Sequence, residues 1–145
     1  MRVFFDTSVL VAAPFEGHAF HRQAFPWLKR ARGREFSFLV ATHTLAELYS
    51  ALTSLPVKPK ITPGAAQELV HENVETVAEM VSLSPSDYSL TLQRVAELGL
   101  PGGVIYDALL ARAAEKSAAD RLLTFNVKDF RRVWPSGASV LFVPE

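Results

Sequence analysis

The sequence predicts an α/β protein with a central parallel sheet, and three observations support this class. Five short apolar runs alternate with longer segments in which apolar residues recur every three or four positions. Helix starts that contain proline, at Thr62-Pro63 and Ser84-Pro85, separate some of these segments. The 145 residues, of which 49% are hydrophobic, suffice for the core of one compact domain. We therefore expect stacked βα units and no second domain.

The first half of the chain supplies two strands and their helices. RVFF is the first predicted strand, and TSVLVAA after Asp6 is a short helix. HAFHRQAFPWLKRAR has one apolar face at helical spacing, with Pro26 inside it as a predicted kink. FSFLVAT is the second strand, and HTLAELYSALTS is the helix that follows it. The prolines of LPVKPKITP predict a loop, because they interrupt regular structure.

The second half predicts three further strands. A helix begins at Thr62-Pro63 and lies within GAAQELVHENVETVAEM, and MVSLS is the third strand. The helix that starts at Ser84-Pro85 ends at Gly99, a residue type that is common at helix C-termini. VIYDALLARAAEKSA is a further helix with an apolar stripe. RLLTF and SVLFV are the fourth and fifth strands.

Composition and charge exclude several classes of protein. The chain has 15 basic and 15 acidic residues, so its net charge neither favours nor excludes a polyanionic partner. It has no cysteine, which excludes a disulfide framework, a thiolate metal site and a cysteine nucleophile. The sequence shows no basic leader followed by a long apolar stretch, and no apolar run reaches the ~18 residues of a membrane span. We expect a cytoplasmic protein without a membrane partner.

Acidic residues follow the predicted strands at the edge of the sheet where α/β proteins bind ligands. In an open parallel sheet, ligands bind beyond the carboxyl ends of the strands. Asp6 directly follows the first strand, Glu47 lies in the helix after the second, and Asp129 follows the fourth. Asn126 precedes Asp129 in the same segment, and Asp107 lies early in the helix before the fourth strand. If that helix starts at the same edge, these side chains converge on one cleft.

Most of these residues also have an ordinary structural explanation. Asp6 is placed to cap a short helix, since aspartate accepts backbone N–H bonds there. Glu47 shares a helix face with other polar residues, and Asn126 with Asp129 has the spacing of a capping box. Asp107 differs, because apolar residues share its helix face and its carboxylate needs a partner. A functional role is therefore the better interpretation of Asp107.

Four carboxylates in one cleft predict a metal ion. Like charges a few ångströms apart repel one another and raise each other's pKa unless a cation enters. Because no thiolate is available, the oxygen donors select a hard ion such as Mg²⁺ or Mn²⁺. Mg²⁺ binds through a few carboxylates, several waters and a substrate phosphate, so we expect a phosphate ester as substrate. The metal would activate a water for in-line attack on the phosphorus.

Four segments resemble the successive motifs of the PIN-domain ribonucleases, in particular the toxins of VapBC toxin–antitoxin modules. They are VFFDTSVLVAA, TLAELYSAL, GGVIYDALLARAA and LLTFNVKDF, and they occur in the expected order over nearly the whole chain. The resemblance implies one PIN domain over residues 1–145, folded as a three-layer α/β/α sandwich around a parallel sheet. It also implies Mg²⁺-dependent RNA hydrolysis, with the family's metal-binding acids at Asp6, Glu47, Asp107 and Asp129.

One position departs from the fullest acidic pattern of this family. Asn126 stands where many relatives have aspartate, and an amide brings no charge to a metal. The resemblance therefore implies one tightly bound Mg²⁺, which Mn²⁺ can replace, and at most a second that arrives with substrate. Thr7 and Thr124 flank the acids, and we expect them to orient Asp6 or the attacking water.

One of three basic clusters lies beside the acidic motif. Arg131 and Arg132 follow Asp129 within a turn or two, so we expect them to contact RNA phosphates. The ordinary explanation is a solvated last helical turn, where the helix dipole favours cations.

The toxin resemblance also implies protein partners. It implies a cognate VapB-like antitoxin, a small DNA-binding protein whose tail folds along the toxin, and it implies a toxin homodimer. Phe15, Phe20 and Trp27, with the helix that contains ELYSAL, are candidates for the groove that receives this tail.

Two other functions are compatible with parts of the sequence. One is a PIN-like module that binds RNA or protein without catalysis, which the presence of all four acids argues against. The other is an aspartate-dependent phosphatase, whose first strand also ends in an aspartate. Such a phosphatase needs a second aspartate two positions later, where this chain has Ser8.

Overall fold

The computed structural model describes all 145 residues and contains one sheet of five strands. The strands are β1 (Arg2–Phe5), β2 (Ser37–Ala41), β3 (Glu79–Val81), β4 (Arg121–Leu123) and β5 (Leu141–Phe142). Every neighbouring pair is parallel, and the order across the sheet is β3-β2-β1-β4-β5. The predicted α/β class with a central parallel sheet is therefore confirmed.

Helices connect the strands and cover the sheet. They are α1 (Thr7–Ala12), α2 (His21–Arg32), α3 (Thr44–Ser54), α4 (Pro63–Val70), α5 (Pro85–Glu97), α6 (Val104–Lys116) and α7 (Val127–Val133). A π-helical turn, His71–Glu75, follows α4, and a 3₁₀ helix, Pro135–Val140, precedes β5. No helix combines the length and the apolar character that crossing a membrane requires.

The alternation of side chains along β1 creates two cores, one on each face of the sheet. Val3 and Phe5 point to one face, where they join a buried cluster with residues of α1 to α4. Phe4 points to the other face, where it joins residues of α5 to α7. In the sheet, Phe4 pairs with Leu39 of β2 and Leu122 of β4, which belong to the same second cluster. These layers confirm the three-layer α/β/α sandwich.

The predicted helix starts and stops agree with the structure where a cap defines them. Thr62 Oγ1 accepts a hydrogen bond from the backbone N–H of Ala65 at 3.1 Å and caps α4. Ser84 forms a capping box with Asp87 at the start of α5. Gly99 follows that helix with φ +68°, a left-handed conformation that glycine adopts without strain.

Other bounds differ from the sequence prediction. The third strand ends at Val81, so the predicted strand extends too far: Ser84 turns its side chain to the α5 cap instead. The helix that starts at Pro63 keeps α geometry only to Val70. α2 begins at His21, three residues later than predicted, and includes Pro26 within its span. Arg22 and Pro26 are both exposed, so water can hydrate the carbonyl that loses its helical hydrogen bond.

A cluster of charged side chains joins α5 to α6 and thereby holds α6 in place. Asp87 is only 5% exposed, and its carboxylate lies 2.9 Å from Arg112 Nη2 and 2.7 Å from Lys116 Nζ. The Lys116 ammonium, the backbone N–H of Ser84 and the Arg112 guanidinium hold the pKa of Asp87 well below its usual range. Arg112 also pairs with Glu115, at 2.6 Å. The charge of Asp87 is thus fully compensated.

Candidate active site

The strand order creates a switch point between β1 and β4. The chain runs outward from β1 to β2 and β3, and then returns to the other side of β1 to form β4 and β5. The connections at the carboxyl ends of β1 and β4 therefore diverge and leave a crevice, where α/β proteins bind ligands. Asp6 follows β1, and Thr124 follows β4. The backbone N–H of Asp6 donates to the carbonyl of Leu123 at 3.0 Å, which fixes the two strand ends together.

Two hydroxyl groups hold the Asp6 carboxylate at this crevice. Ser8 Oγ and Thr124 Oγ1 each donate a hydrogen bond to Asp6 Oδ2 at 2.7 Å. Both hydroxyls are themselves fixed by the backbone: the N–H of Phe125 donates to Ser8 Oγ at 3.2 Å, and the N–H of Asn126 donates to Thr124 Oγ1 at 2.9 Å. Residues that follow β1 and residues that follow β4 therefore both orient the Asp6 side chain.

Asp6 does not act as the helix cap that the sequence also allowed. It occupies the N-cap position of α1, but its side chain makes no capping hydrogen bond. Only 3% of the residue is exposed, and this burial raises the pKa of Asp6 against the opposing effect of the Ser8 and Thr124 hydrogen bonds. A buried carboxylate that is not needed as a cap requires another explanation.

Glu47 approaches the same crevice from the first turn of α3. Thr7 Oγ1 donates to Glu47 Oε2 at 2.9 Å, so the first residue of α1 orients this carboxylate. His43 Nε2 lies 3.8 Å from Glu47 Oε1, too far for a hydrogen bond. Burial lowers the pKa of His43 against the opposing effect of the Glu47 charge, which favours the neutral imidazole at this position. Thr44, which shares this face of α3 with Glu47, is fully buried. The alternative that Glu47 belongs to an ordinary solvent-exposed polar face is therefore not observed.

Asp107 carries the clearest electrostatic signal in the molecule. It lies in the first turn of α6 and is half-buried. Burial first, and then the negative charges of Asp6, Asp129 and Glu47, raise the pKa of Asp107 to about 6. All four acids named from the sequence are thus close enough to interact. No lysine or arginine pairs with Asp6, Glu47 or Asp107 as Arg112 and Lys116 pair with Asp87.

Three of the four acids line a single pocket of about 420 Å³. Its walls are formed by Asp6, Glu47 and Asp107, by the polar residues Thr7, Ser8, His18 and Asn126, and by Val11, Phe20, Ala51 and Phe125. The convergence expected at the carboxyl edge of the sheet is therefore present for these three acids, together with Thr7 and Asn126. Thr124 is fully buried behind the pocket and contacts it through Asp6.

Asp129 lies beside this pocket and does not line it. It is in the first turn of α7 with its side chain 48% exposed, and Arg132 Nη1 lies 3.7 Å from its carboxylate. Asn126 occupies the N-cap position of α7 but makes no side-chain capping bond, so the capping-box alternative is not observed. Arg131 and Arg132 are exposed in the last turn of α7.

The donor set fits a hard divalent cation. Its groups are carboxylate, amide and hydroxyl oxygens, and the mutual repulsion of the acids leaves a charge that a cation would neutralise. No three carboxylate or imidazole groups of the chain approach closely enough to enclose an ion by themselves. Mg²⁺ commonly uses one or two carboxylates with water and substrate phosphate, so a loosely gathered set of acids suits it.

Sequence reasoning missed two features of this pocket. Ser8 stands where an aspartate-dependent phosphatase needs its second aspartate, but its position two residues after Asp6 also allows its hydroxyl to reach the carboxylate. Nothing in the sequence places Phe125 in the pocket, because an aromatic residue after a strand commonly packs in the hydrophobic core. The structure instead places its ring against Phe20, with the centroids 4.4 Å apart, in the wall of the pocket.

Comparison with known proteins gives a consistent family assignment. The PIN domain profile matches residues 3–134. Ribonuclease VapC40 of Mycobacterium tuberculosis is 35% identical over 128 residues, which cover 88% of this chain and 87% of that protein. Ribonuclease VapC27 of the same species is 32% identical over 115 residues, or 79% of this chain and 78% of that protein.

Solved structures share the fold at lower sequence identity. VapBC2 from Rickettsia felis, solved in complex with a DNA fragment from its promoter, includes a chain that superposes with a TM-score of 0.67 at 20% identity, with both chains covered completely. VapC20 of Mycobacterium tuberculosis, described as a toxin that cleaves the sarcin-ricin loop, gives a TM-score of 0.68 at 16% identity over 88% of this chain and 92% of that one. By its profile match and its relatives, this chain belongs to the PIN-domain family as a VapC-type member.

Proposed function

We propose that this protein is a Mg²⁺-dependent endoribonuclease and the toxin of a type II toxin–antitoxin pair, acting in the cytoplasm as one PIN domain over residues 1–145. The observation that carries the proposal is the pocket in which Asp6, Glu47 and Asp107 meet without a compensating cation. Named ribonucleases among the relatives support RNA as the substrate. Carboxylates that repel one another across a ligand-binding crevice favour an ion and a phosphate over an uncharged substrate.

One or two of the four acids would hold the metal directly and the others through water, and the metal is Mg²⁺ with Mn²⁺ as a substitute. When bound, such an ion acidifies a water and neutralises the charge that develops on the phosphate. Asp6 is the anchor of the set, because Ser8 and Thr124 restrict its rotation. Glu47 is held by Thr7 in the same way. Asp129, at the rim, and the neutral Asn126 would complete the surroundings of the metal and its bound waters.

RNA phosphates would also contact the end of α7. Arg131 and Arg132 are exposed there, within one helical turn of Asp129. Arg132 forms an ion pair with Asp129 at 3.7 Å, and Arg131 is therefore the stronger candidate for a phosphate contact. We expect these two residues to affect RNA affinity more than the rate of the chemical step.

An antitoxin of the VapB type and a homodimer complete the proposal. The VapBC2 complex from Rickettsia felis supports an antitoxin partner. A second pocket, of about 500 Å³, lies between the residues that connect α1 to α2 and those that follow α3. Phe15, Leu55 and Val57 line it, which makes it a suitable groove for an apolar tail. Trp27, also considered for this groove from the sequence, packs instead against Phe36 at a centroid distance of 5.9 Å.

The direct test is RNA cleavage by the purified protein. We expect Mg²⁺ or Mn²⁺ to support cleavage of RNA, EDTA to abolish it, and added Mg²⁺ to restore it. Release of phosphate from a small monoester without cleavage of RNA would instead support an aspartate-dependent phosphatase. RNA binding that is unaffected by EDTA, without cleavage under any metal condition, would replace the nuclease by a binding module.

A further inference from the structure

One wall of the acidic pocket is aromatic, although the remaining walls are mainly polar. Phe20 and Phe125 lie with their rings nearly parallel, at an angle of 13° and a centroid distance of 4.4 Å. Both rings line the pocket that contains Asp6, Glu47 and Asp107. Phe20 nevertheless remains 43% exposed. An exposed phenylalanine beside charged groups gains little for the fold, which suggests a role in binding.

The aromatic pair is fixed to the same backbone that positions Asp6. Phe125 follows Thr124, and its N–H donates to Ser8 Oγ, the hydroxyl that holds Asp6. Its ring packs against the buried cluster beneath α1 to α4. The backbone N–H of Phe20 donates to His18 Nδ1 at 3.1 Å, which restrains the residue before α2. The aromatic wall therefore has a defined position relative to the carboxylates.

We propose that Phe20 and Phe125 form a stacking platform for a nucleobase of single-stranded RNA, beside the phosphate at the carboxylates. The proposal rests on the nuclease function proposed above. A planar base continues a parallel stack of rings, and every base has an aromatic face that such a platform can accept. Asn126 and His18 line the same pocket and offer hydrogen-bonding groups to the edge of the base.

A base fits this wall better than an apolar protein side chain does. Seven of the eleven residues that line the pocket are polar or charged, and three of these are carboxylates, so a purely aliphatic group seated there would leave polar groups without hydrogen-bonding partners. The pocket around Phe15, Leu55 and Val57 adjoins this one at His18 but offers a protein more apolar surface. Phe20, which the sequence suggested for an antitoxin groove, is thereby assigned to RNA.

The test measures the affinity of a fluorescently labelled single-stranded oligoribonucleotide for the full chain, with Ca²⁺ in place of Mg²⁺, so that a cation is available to the carboxylates while cleavage is suppressed. We expect Phe20→Ala to weaken binding by about fivefold or more, the effect of losing one base–aromatic stack. Phe20→Trp should retain affinity, whereas Phe20→Leu, which keeps apolar volume without a ring, should behave like Phe20→Ala. Phe25→Ala is the matched control, since Phe25 is 45% exposed, stacks on His21 and lies outside the acidic pocket.

A series of oligonucleotides, each with one abasic position, makes the test specific for stacking. At one position, removing the base should lower the affinity of the wild-type protein as much as Phe20→Ala lowers the affinity for intact RNA. The Phe20→Ala protein should bind this abasic oligonucleotide no more weakly than it binds intact RNA, because the same stack is already lost. Equal affinity of wild type and Phe20→Ala for intact RNA would overturn the proposal. So would a loss of binding to a partner protein with RNA affinity unchanged.

The outcome is separable from that of the nuclease proposal. If the wild type binds RNA through Phe20 but never cleaves it, the stacking platform stands and the nuclease fails. If wild type and Phe20→Ala bind and cleave RNA equally well, the nuclease stands and the platform is overturned. Thermal unfolding of each Phe20 variant, with a Tm equal to that of wild type, establishes that a change in affinity does not arise from misfolding.

Discussion

The two ends of α6 meet carboxylates in opposite electrostatic states. Near its end, Arg112 and Lys116 surround Asp87 of α5 and hold the pKa of that carboxyl well below its usual range. Near its start, Asp107 faces Asp6 and Glu47 and its pKa is raised to about 6. Both sites restrict a carboxylate in a partly buried place, yet only one supplies the opposite charge.

The difference separates what stabilises the fold from what is available for binding. A buried carboxylate with two cations and a capping hydrogen bond stabilises the native state, because its charged form is favoured there. Carboxylates that repel one another cost stability until a cation is added. We therefore expect substitutions at the Asp87 cluster to affect unfolding, and substitutions at the acidic pocket to affect catalysis.

The largest expected effect, and the sharpest test of this separation, is Asp6→Asn. It should lower RNA cleavage by about 100-fold or more, because it removes the charge at the anchored position of the metal set. The shape of the side chain is kept, so the Tm of the metal-free protein should not fall. Asp120→Asn is the control: this exposed aspartate accepts a hydrogen bond from the backbone N–H of Arg2, away from the pocket. Comparable activity of the two variants would contradict the assignment.

A smaller loss of activity is expected from Thr124→Val. The isosteric change removes one of the two hydroxyls that orient Asp6, and loss of such supporting bonds typically costs about 10- to 100-fold in metal affinity or activity. Thr124→Ser keeps the hydroxyl and should retain most activity. Titration of Mg²⁺ against the cleavage rate makes the comparison, because poor orientation of Asp6 should raise the Mg²⁺ concentration that is needed. An identical Mg²⁺ response in both variants would show that Thr124 does not position Asp6.

The compensated end of α6 should respond in the opposite way. Arg112→Met leaves Asp87 with one cation fewer, and we expect the free energy of unfolding to fall by about 2 kcal/mol. Arg94→Met is the control, since the Arg94 side chain is more exposed and its ion pair is with Glu115 and not with Asp87, and it should change stability by less than about 0.5 kcal/mol. Denaturant unfolding measures both. An Arg112→Met variant that is as stable as wild type but inactive would contradict the proposal that the Asp87 cluster affects stability and the acidic pocket affects catalysis.

The smallest expected effect is a stability gain from Asp107→Asn in the metal-free protein. The folded-state pKa of Asp107 exceeds its unfolded value, so the native state binds an extra proton between about pH 4 and 6 and loses stability as pH rises through that window. At pH 7, removing the charge should stabilise the protein by about 1 kcal/mol, allowing for solvent screening at this half-exposed group. Near pH 4 the gain should vanish.

Unfolding in EDTA at both pH values tests this prediction. A gain that persists unchanged at pH 4, or a loss of stability at pH 7, would show that repulsion at Asp107 is not the cause. Added Mg²⁺ supplies a second comparison. It should stabilise wild type more than Asp107→Asn, because a cation binds best where the negative charge is intact.

The sequence by itself determined the fold class and the acids of the site. Alternating apolar runs predicted the parallel sheet, and the cap residues Thr62 and Ser84 fixed two helix starts, because these signals are local to the chain. Asp6 and Asp107 could be named because a carboxylate between apolar runs or on an apolar helix face is costly without a partner, whereas Glu47 and Asp129 were assigned through the family resemblance. The ends of β3 and α4 were less predictable, since competing hydrogen bonds decide where an element stops.

Only the tertiary structure decided how these residues meet. The order β3-β2-β1-β4-β5 brings Thr124 to Asp6 across 118 positions of sequence, and it turns Ser8 and Phe125 into neighbours. The same packing leaves Asp129 at the rim and gives Asp87 its two cations while giving Asp107 none. Spacing along the chain carries no information about which strands lie side by side, so the balance of charge at each carboxylate appears only when the sheet is assembled.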